Sequence, residues 1–372
     1  MKKIKINLEF FTKPAPKIIN KLMLAKYGHS NIDLYSNEPC IYVSPNTSRI
    51  DKQLITSCIN TKFLFINDEI ISKIIHGKLQ RETIDKILSE IEILSNAGYV
   101  FALIWNESPS IFGDNEPISE NLCEFLFQTK LDIKFLTFPG LYFNQPVWAD
   151  NPRKSKIYSH QQINIRHKML EGFSKKEIVK YFKENTPSSA SAYTNKFPVQ
   201  LLSHNLAMGL ERIMYCCPGC SSLCSLYSEF SCIKCRNCGA VYELNSDGKI
   251  LFAQNISNFD DIKNYQFSAL KRKGLDINAI AEYKEITQIF EEKNNKIVKI
   301  AVNFQIFADK LIITNALTNK KTEIIIEDID YFKYTHRNNL FIKTKNSKQL
   351  HFVGNNNENF LIIQDLIKIN KN

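Results

Sequence analysis

The sequence predicts an α/β protein with a mostly parallel sheet flanked by helices. A cysteine-rich module follows, then a small antiparallel β domain with a C-terminal helix. Three observations carry this expectation. In the first half, short unbroken apolar runs alternate with stretches whose apolar residues recur every three or four positions, as buried strands alternate with amphipathic helices. Seven of the ten cysteines fall between positions 216 and 238. From about position 296, apolar and polar residues alternate between turn signals, the pattern of short antiparallel strands.

Residues 1–33 form a basic segment, with Lys2, Lys3, Lys5, Lys13, Lys17, Lys21 and Lys26 against only Glu9 and Asp33. Within it, "PKIINKLMLAKY" reads as an amphipathic helix. Residues 34–185 carry the α/β pattern. Cys40 to Ser44 is a buried strand ended by Pro45, "DKQLITSCI" a helix and "KFLFI" a strand. The clearest helix is "QRETIDKILSEIEILSNAG": Ile84, Ile87, Leu88, Ile91 and Leu94 share one face, and Gly98 stands just past the end as a stop. "YVFALIW" is an unbroken apolar run of the kind buried on both faces of a parallel sheet. "ENLCEFLFQTK" is a helix, "DIKFLTF" a strand, and residues 174–185 a short polar helix. Residues 186–209 are expected to be a linker, marked by "TPSSASAY", and a helix. The cysteine module occupies 210–255, a helical connector 256–295, and the β-rich domain 296–372, closed by the helix "NENFLIIQDLIKI". In open α/β sheets, ligand chemistry gathers at the carboxyl ends of strands. Asn46 and the segment after Trp105 lie at two such ends.

The bulk properties narrow the function classes. A chain of 372 residues with 44% hydrophobic and 23% charged residues has the composition of an ordinary globular protein. It contains no run of ~18 or more apolar residues, so no bilayer-spanning helix is expected. The N-terminus lacks the apolar core of a secretory signal. The net charge of +10 favours an anionic partner. Lysines are scattered beyond Asp33 and concentrated before it, so a peripheral anionic membrane surface is the partner that the basic segment suggests. Clustered cysteines suit metal ligation in a reducing compartment and not a dispersed disulfide framework, so a cytoplasmic location is expected, with the inner face of the cell membrane as an adjunct.

Cys217-Pro-Gly-Cys220 and Cys235-Arg-Asn-Cys238 are C-x-x-C pairs with the segment 221–234 between them. Each pair can present two thiolates from a tight turn, and two such turns complete a tetrahedral structural Zn²⁺ site with no open position. Cys232 to Cys235 has the same spacing, so a second register exists; Gly239 after Cys238 favours the first. Cys216, Cys224 and Cys232 are left over. Few basic residues surround the cluster and no aromatic platform with interleaved Arg is visible, so nucleic acid is not an expected partner.

"YVSPNTSRID" resembles the first motif, N-H-x-S-x-x-D, of the glycerophospholipid acyltransferase family (lysophosphatidic-acid-acyltransferase-like). Pro45, Asn46, Ser48 and Asp51 occupy the Asn, His, Ser and Asp positions. The family's F-P-E-G motif is matched by "IWNESPSIFG", where Trp105 takes the Pro position and Asn106 the Glu position, while Ser110 and Gly113 are kept. "PGLYFNQPVWADNPRKSK" and "AMGLERIMYCCPGC" resemble segments of a bacterial branch whose acyltransferase domain precedes a zinc ribbon and a small β-rich, PH-like domain.

The resemblance implies a glycerolipid-acyltransferase-like fold and acyl transfer from acyl-CoA or acyl-carrier protein to a lysophospholipid, such as a 1-acyl-glycerol 3-phosphate. In that chemistry a histidine takes the proton of the attacking hydroxyl and an aspartate orients it. Asn46 and Asp51 hold those two positions, and the implied substrate-binding residues are Ser48, Arg49, Asn106, Glu107, Ser110 and Gly113. A carboxamide has no titratable lone pair near neutral pH. The base is therefore lost by this reading, and weakened or absent activity is expected. His29, which precedes the first strand, is a weak substitute. The competing readings are a working enzyme that uses water or a displaced residue, and a non-catalytic lipid- or protein-binding scaffold that uses the cysteine module and the β domain.

Overall fold

The computed structural model describes residues 7, 9–14, 34, 36, 38–48, 50–106, 111–114, 117–138, 140–149, 151, 153–156, 161–186, 199–251, 258–273, 280–291, 297–335, 339–346, 348–354 and 358–371. It divides into two compact units, 1–146 with 152–202, and 147–151 with 203–372.

The first unit contains β1 (Phe11–Thr12), β2 (Cys40–Ser44), α1 (Asp51–Cys58), β3 (Phe63–Ile66), α2 (Asp68–Ile75), α3 (Arg81–Asn96), β4 (Val100–Ile104), α4 (Glu120–Gln128), β5 (Asp132–Thr137), α5 (Leu141–Asn144), β6 (Ser155–Lys156), β7 (Gln161–Ile165), α6 (Lys175–Asn185) and β8 (Gln200–Leu201). Its main sheet has the order β1-β3-β4-β2-β5-β7. The four central strands are parallel, as expected. Antiparallel β1 and β7 at the edges make the sheet mixed.

The unbroken apolar runs reflect burial on both faces. Ile41 and Val43 of β2, Phe101 and Leu103 of β4 and Ile133 and Phe135 of β5 pack into one core with α2, α3, α4 and α6. Cys40, Tyr42, Val100, Ala102 and Ile104 point the other way, onto Leu54, Ile55 and Cys58 of α1. Helix starts are fixed by side chains. Ser119 Oγ accepts from Leu122 N at 3.2 Å, and Ser174 with Glu177 forms a full capping box. Helix α3 ends where Gly98 adopts a left-handed φ of 80°, the stop its sequence signals.

The second unit contains β9 (Leu226–Glu229), β10 (Cys232–Cys235), β11 (Val241–Leu244), β12 (Ile250–Leu251), α7 (Phe259–Lys273), β13 (Ala281–Glu291), β14 (Ile297–Ile306), β15 (Lys310–Asn315), β16 (Lys321–Ile325), β17 (Ile329–Thr335), β18 (Asn339–Thr344), β19 (Gln349–Val353) and α8 (Leu361–Lys371). Strands β9 to β12 form a four-stranded antiparallel sheet, and β13 to β19 a seven-stranded one in the order β16-β15-β14-β13-β19-β18-β17. Phe304, Phe352 and Phe360 pack edge-on in its core, 5.2 and 5.7 Å between centroids, with α8 beside them.

One expected boundary changes. Residues 256–295 are not a helical connector throughout: α7 ends at Lys273, and Ala281–Glu291 form a strand paired with both β14 and β19. The β domain therefore begins with β13 and not at position 296. Of the linker and helix expected over 186–209, residues 187–198 lie outside the described residues; the rest comprises β8 and turns, followed by a short 3-10 segment, Leu210–Arg212. Gly209, with a φ of 90°, leads into it. The amphipathic helix and six of the seven lysines expected in the segment 1–33 lie outside the described residues, as does His29. No helix among the described residues is long and apolar enough to cross a membrane.

Candidate functional site

The site lies at the carboxyl ends of β2 and β4, which are adjacent and parallel. Their register pairs Ser44 with Ile104, and Trp105 N donates to Ser44 O at 3.1 Å. The same register continues beyond the strands and brings Asn46 against Asn106. Asn46 N donates to Asn106 Oδ1, and Asn46 Nδ2 to Asn106 O, both at 3.4 Å. The positions at which the resemblance places a histidine and a glutamate are thus a linked pair of carboxamides.

Asp51 opens α1, where a carboxylate also suits the positive end of the helix dipole. Its hydrogen bonds go to its own loop and not to Asn46. Ser48 N donates to Asp51 Oδ2 at 2.5 Å, and Thr47 Oγ1 donates to Oδ1 at 3.0 Å. Ser48 Oγ in turn accepts from Ile50 N at 3.2 Å. These bonds close the loop ahead of the helix, whose own N-cap, Ile50, makes no side-chain cap bond. Asp51 is fully enclosed, and burial raises its carboxyl to about 6 against the lowering effect of the Ser48 and Thr47 hydrogen bonds.

Asn46, Ser48, Asp51 and Asn106 all line one cavity of about 280 Å³. Its remaining walls come from the start of α1 and from α2: Lys52, Gln53, Asp68, Ile71, Ser72 and Ile75, with Ile104 at the end of β4. The Lys52 ammonium pairs with the Asp68 carboxylate and lies 5.5 Å from the Phe65 ring centroid. Asn106 is only 4% exposed, and its Nδ2 has no hydrogen-bond partner among the described residues. None of the described lining residues carries an imidazole. Arg49, Glu107 and Ser110 lie outside the described residues. Gly113 is buried with a φ of 81°, but it is not part of the cavity wall. The contribution of α2 is absent from the sequence reading, although Asn67 capping Glu69 and isoleucines at 70, 71 and 74 signal that helix.

In the second unit, the Sγ atoms of Cys217, Cys220, Cys235 and Cys238 all lie within 4.8 Å of one another. Cys217 to Cys238 is 3.7 Å and Cys220 to Cys235 is 3.8 Å. Four thiolates at ~2.3 Å from a tetrahedral ion would stand about 3.8 Å apart, so the donor set fits a metal such as zinc. Neighbours support the sulfurs. Tyr242 Oη lies 3.3 Å from Cys217 Sγ, and Asn237 Nδ2 donates to Cys220 Sγ at 3.5 Å. Gly239 adopts a φ of 70° after Cys238, as the first register requires. Cys232 belongs to β10 and stays outside the cluster, which excludes the second register from this group.

No protein-family profile matches the chain, and no curated protein does. Among solved structures, the 1-acyl-sn-glycerophosphate (LPA) acyltransferase PlsC of Thermotoga maritima is similar over 45% of this chain and 73% of its own, at 16% identity and a TM-score of 0.33. The inner membrane complex sub-compartment protein 3 of Toxoplasma gondii is similar over 28% and 86%, at 14% identity and a TM-score of 0.21. The N-terminal PH domain of human ARAP2 is similar over 24% and 73%, at 14% identity and a TM-score of 0.18. Each likeness covers part of the chain.

Proposed function

We propose that the first unit is an acyltransferase-like module whose acid–base machinery has been replaced. Acyl transfer from acyl-CoA or acyl-carrier protein to a lysophospholipid is then reduced to near background, while the cavity keeps the capacity to bind. The observation that supports this is the Asn46–Asn106 pair. The group at the expected position of the base can only donate and accept neutral hydrogen bonds. Asp51, which would orient an imidazolium, is occupied by Ser48 and Thr47 of its own loop. Loss of general-base assistance removes typically 10²–10⁴-fold in rate.

The four-cysteine cluster is read as a structural zinc site of zinc-ribbon type, because four thiolates leave no open coordination position for chemistry. The lysine-rich segment 1–33 supports peripheral binding to an anionic membrane surface from the cytoplasmic side. The test is an acyl-transfer assay on purified full-length protein, with acyl-CoA and acyl-carrier donors and a panel of lysophospholipids. Rates near background are expected. Robust turnover that survives Asp51→Ala would overturn the reading.

A further inference from the structure

We propose that the cavity at the ends of β2 and β4 holds an uncharged polyol headgroup, such as the glycerol of a monoacylglycerol, in preference to a phosphate-bearing one. This rests on the reading of the site given above and names the ligand class it takes. The charged residues in the described lining are Asp51, Lys52 and Asp68, a net charge of −1 when all three are ionised. The Lys52 ammonium is already engaged by Asp68. A phosphate would meet two carboxylates and a lysine that must first leave its partner, and like-charge juxtaposition is repulsive. A neutral headgroup carries no such penalty.

The hydrogen-bonding groups also suit a neutral oxygen ligand. Among the described residues, Asn106 Nδ2 is a buried donor in the wall with no acceptor, and a buried donor left unpaired favours a ligand that supplies one. An ester carbonyl or hydroxyl oxygen supplies it. Ser48 and Asn46 offer further polar atoms beside it, while Ile71, Ile75 and Ile104 form an apolar wall for the first methylenes of a chain. At about 280 Å³ the cavity falls just below the ~300–1,000 Å³ typical of ligand sites, room for a headgroup and the start of a chain.

The experiment is calorimetric titration of the full chain with monooctanoylglycerol, octanoyl lysophosphatidate and glycerol 3-phosphate, each below its micellar concentration. Monooctanoylglycerol is expected to bind at least tenfold more tightly than octanoyl lysophosphatidate. Asn106→Ala should weaken it severalfold, and Asp68→Asn, which releases Lys52, should narrow or reverse the preference. Asp68 is an exposed residue in the first turn of α2, so that variant is expected to fold. Equal or tighter binding of the phosphate-bearing ligands to the wild type overturns the inference, as does failure of all three to bind. Monooctanoylglycerol binding accompanied by rapid acylation from octanoyl-CoA would instead overturn the lost-base reading and leave the headgroup assignment standing.

Discussion

Replacing Asp51 by Asn should abolish a pH dependence of stability that the first unit carries between about pH 4 and pH 6. Burial raises the Asp51 carboxyl from 3.8 to about 6, even though Ser48 and Thr47 donate to it. At ~1.36 kcal/mol per pH unit, that rise corresponds to ~3 kcal/mol. The folded-state value lies above the unfolded one, so the native state holds this proton more tightly. Its contribution is fully present below about pH 4, declines as pH rises, and is lost above about pH 6. The assay is urea unfolding of wild type and Asp51→Asn across this range, followed by Trp105 fluorescence in a Trp148→Phe background so that the signal reports the first unit. Comparing the two proteins at each pH cancels the titration of all other groups. The wild type should lose ~3 kcal/mol relative to the variant between about pH 4 and pH 7. A constant difference would refute the reasoning. So would a difference that favours the wild type more at high pH, since that means the loop donors outweigh burial.

Purified protein should carry about one Zn²⁺ per chain by elemental analysis; Cys235→Ser should lose it and expose β9–β12 to hydrogen exchange, whereas Cys232→Ser should retain it. Metal-free wild type with unchanged exchange would contradict that site. Gly209→Ala should destabilise the second unit by at least ~2 kcal/mol in thermal unfolding, because the added Cβ would stand 2.1 Å from the Trp148 carbonyl oxygen at a φ of 90°. An unchanged transition would mean that the local backbone relaxes freely. The N-terminal lysines should give salt-sensitive sedimentation with anionic vesicles, about 1 kcal/mol per lysine near the surface, and deletion of residues 1–26 should remove it. Binding that persists after the deletion would place the contact elsewhere.

The central strands and most flanking helices of the first unit are legible because burial on both faces leaves unbroken apolar runs, and helices α3 and α4 present regular stripes. Edge strand β7 is not, since "QQINI" carries little apolar signal and joins the sheet through β5. Strand β13 is hidden by its charged positions, Glu282, Lys284 and Glu285, and by a bulge between Tyr283 and Ile286 that breaks the alternation. At the site, the motif positions Asn46 and Asn106 are readable one by one, but their contact follows from the β2–β4 register, which no local pattern states. The loop-closing role of Asp51, which accepts from Thr47 and Ser48, is obscured by the catalytic reading of the same residue. The Lys52–Asp68 pair joins two helices, one of them unexpected, so the charge of the cavity cannot be counted from the sequence.

The most direct measurement is single-turnover acyl transfer by wild type, Asn46→His and Asn46→His with Asn106→Glu, under identical donor and acceptor concentrations. An imidazole at position 46 supplies a proton acceptor, and a carboxylate at 106 supplies a charged partner at the neighbouring strand end. A wild-type rate indistinguishable from background is expected, with a partial gain in the single variant and a larger one in the double, within the 10²–10⁴-fold that general-base assistance typically supplies. Wild-type turnover equal to or faster than the double variant would contradict the replacement of the base by the Asn46–Asn106 pair.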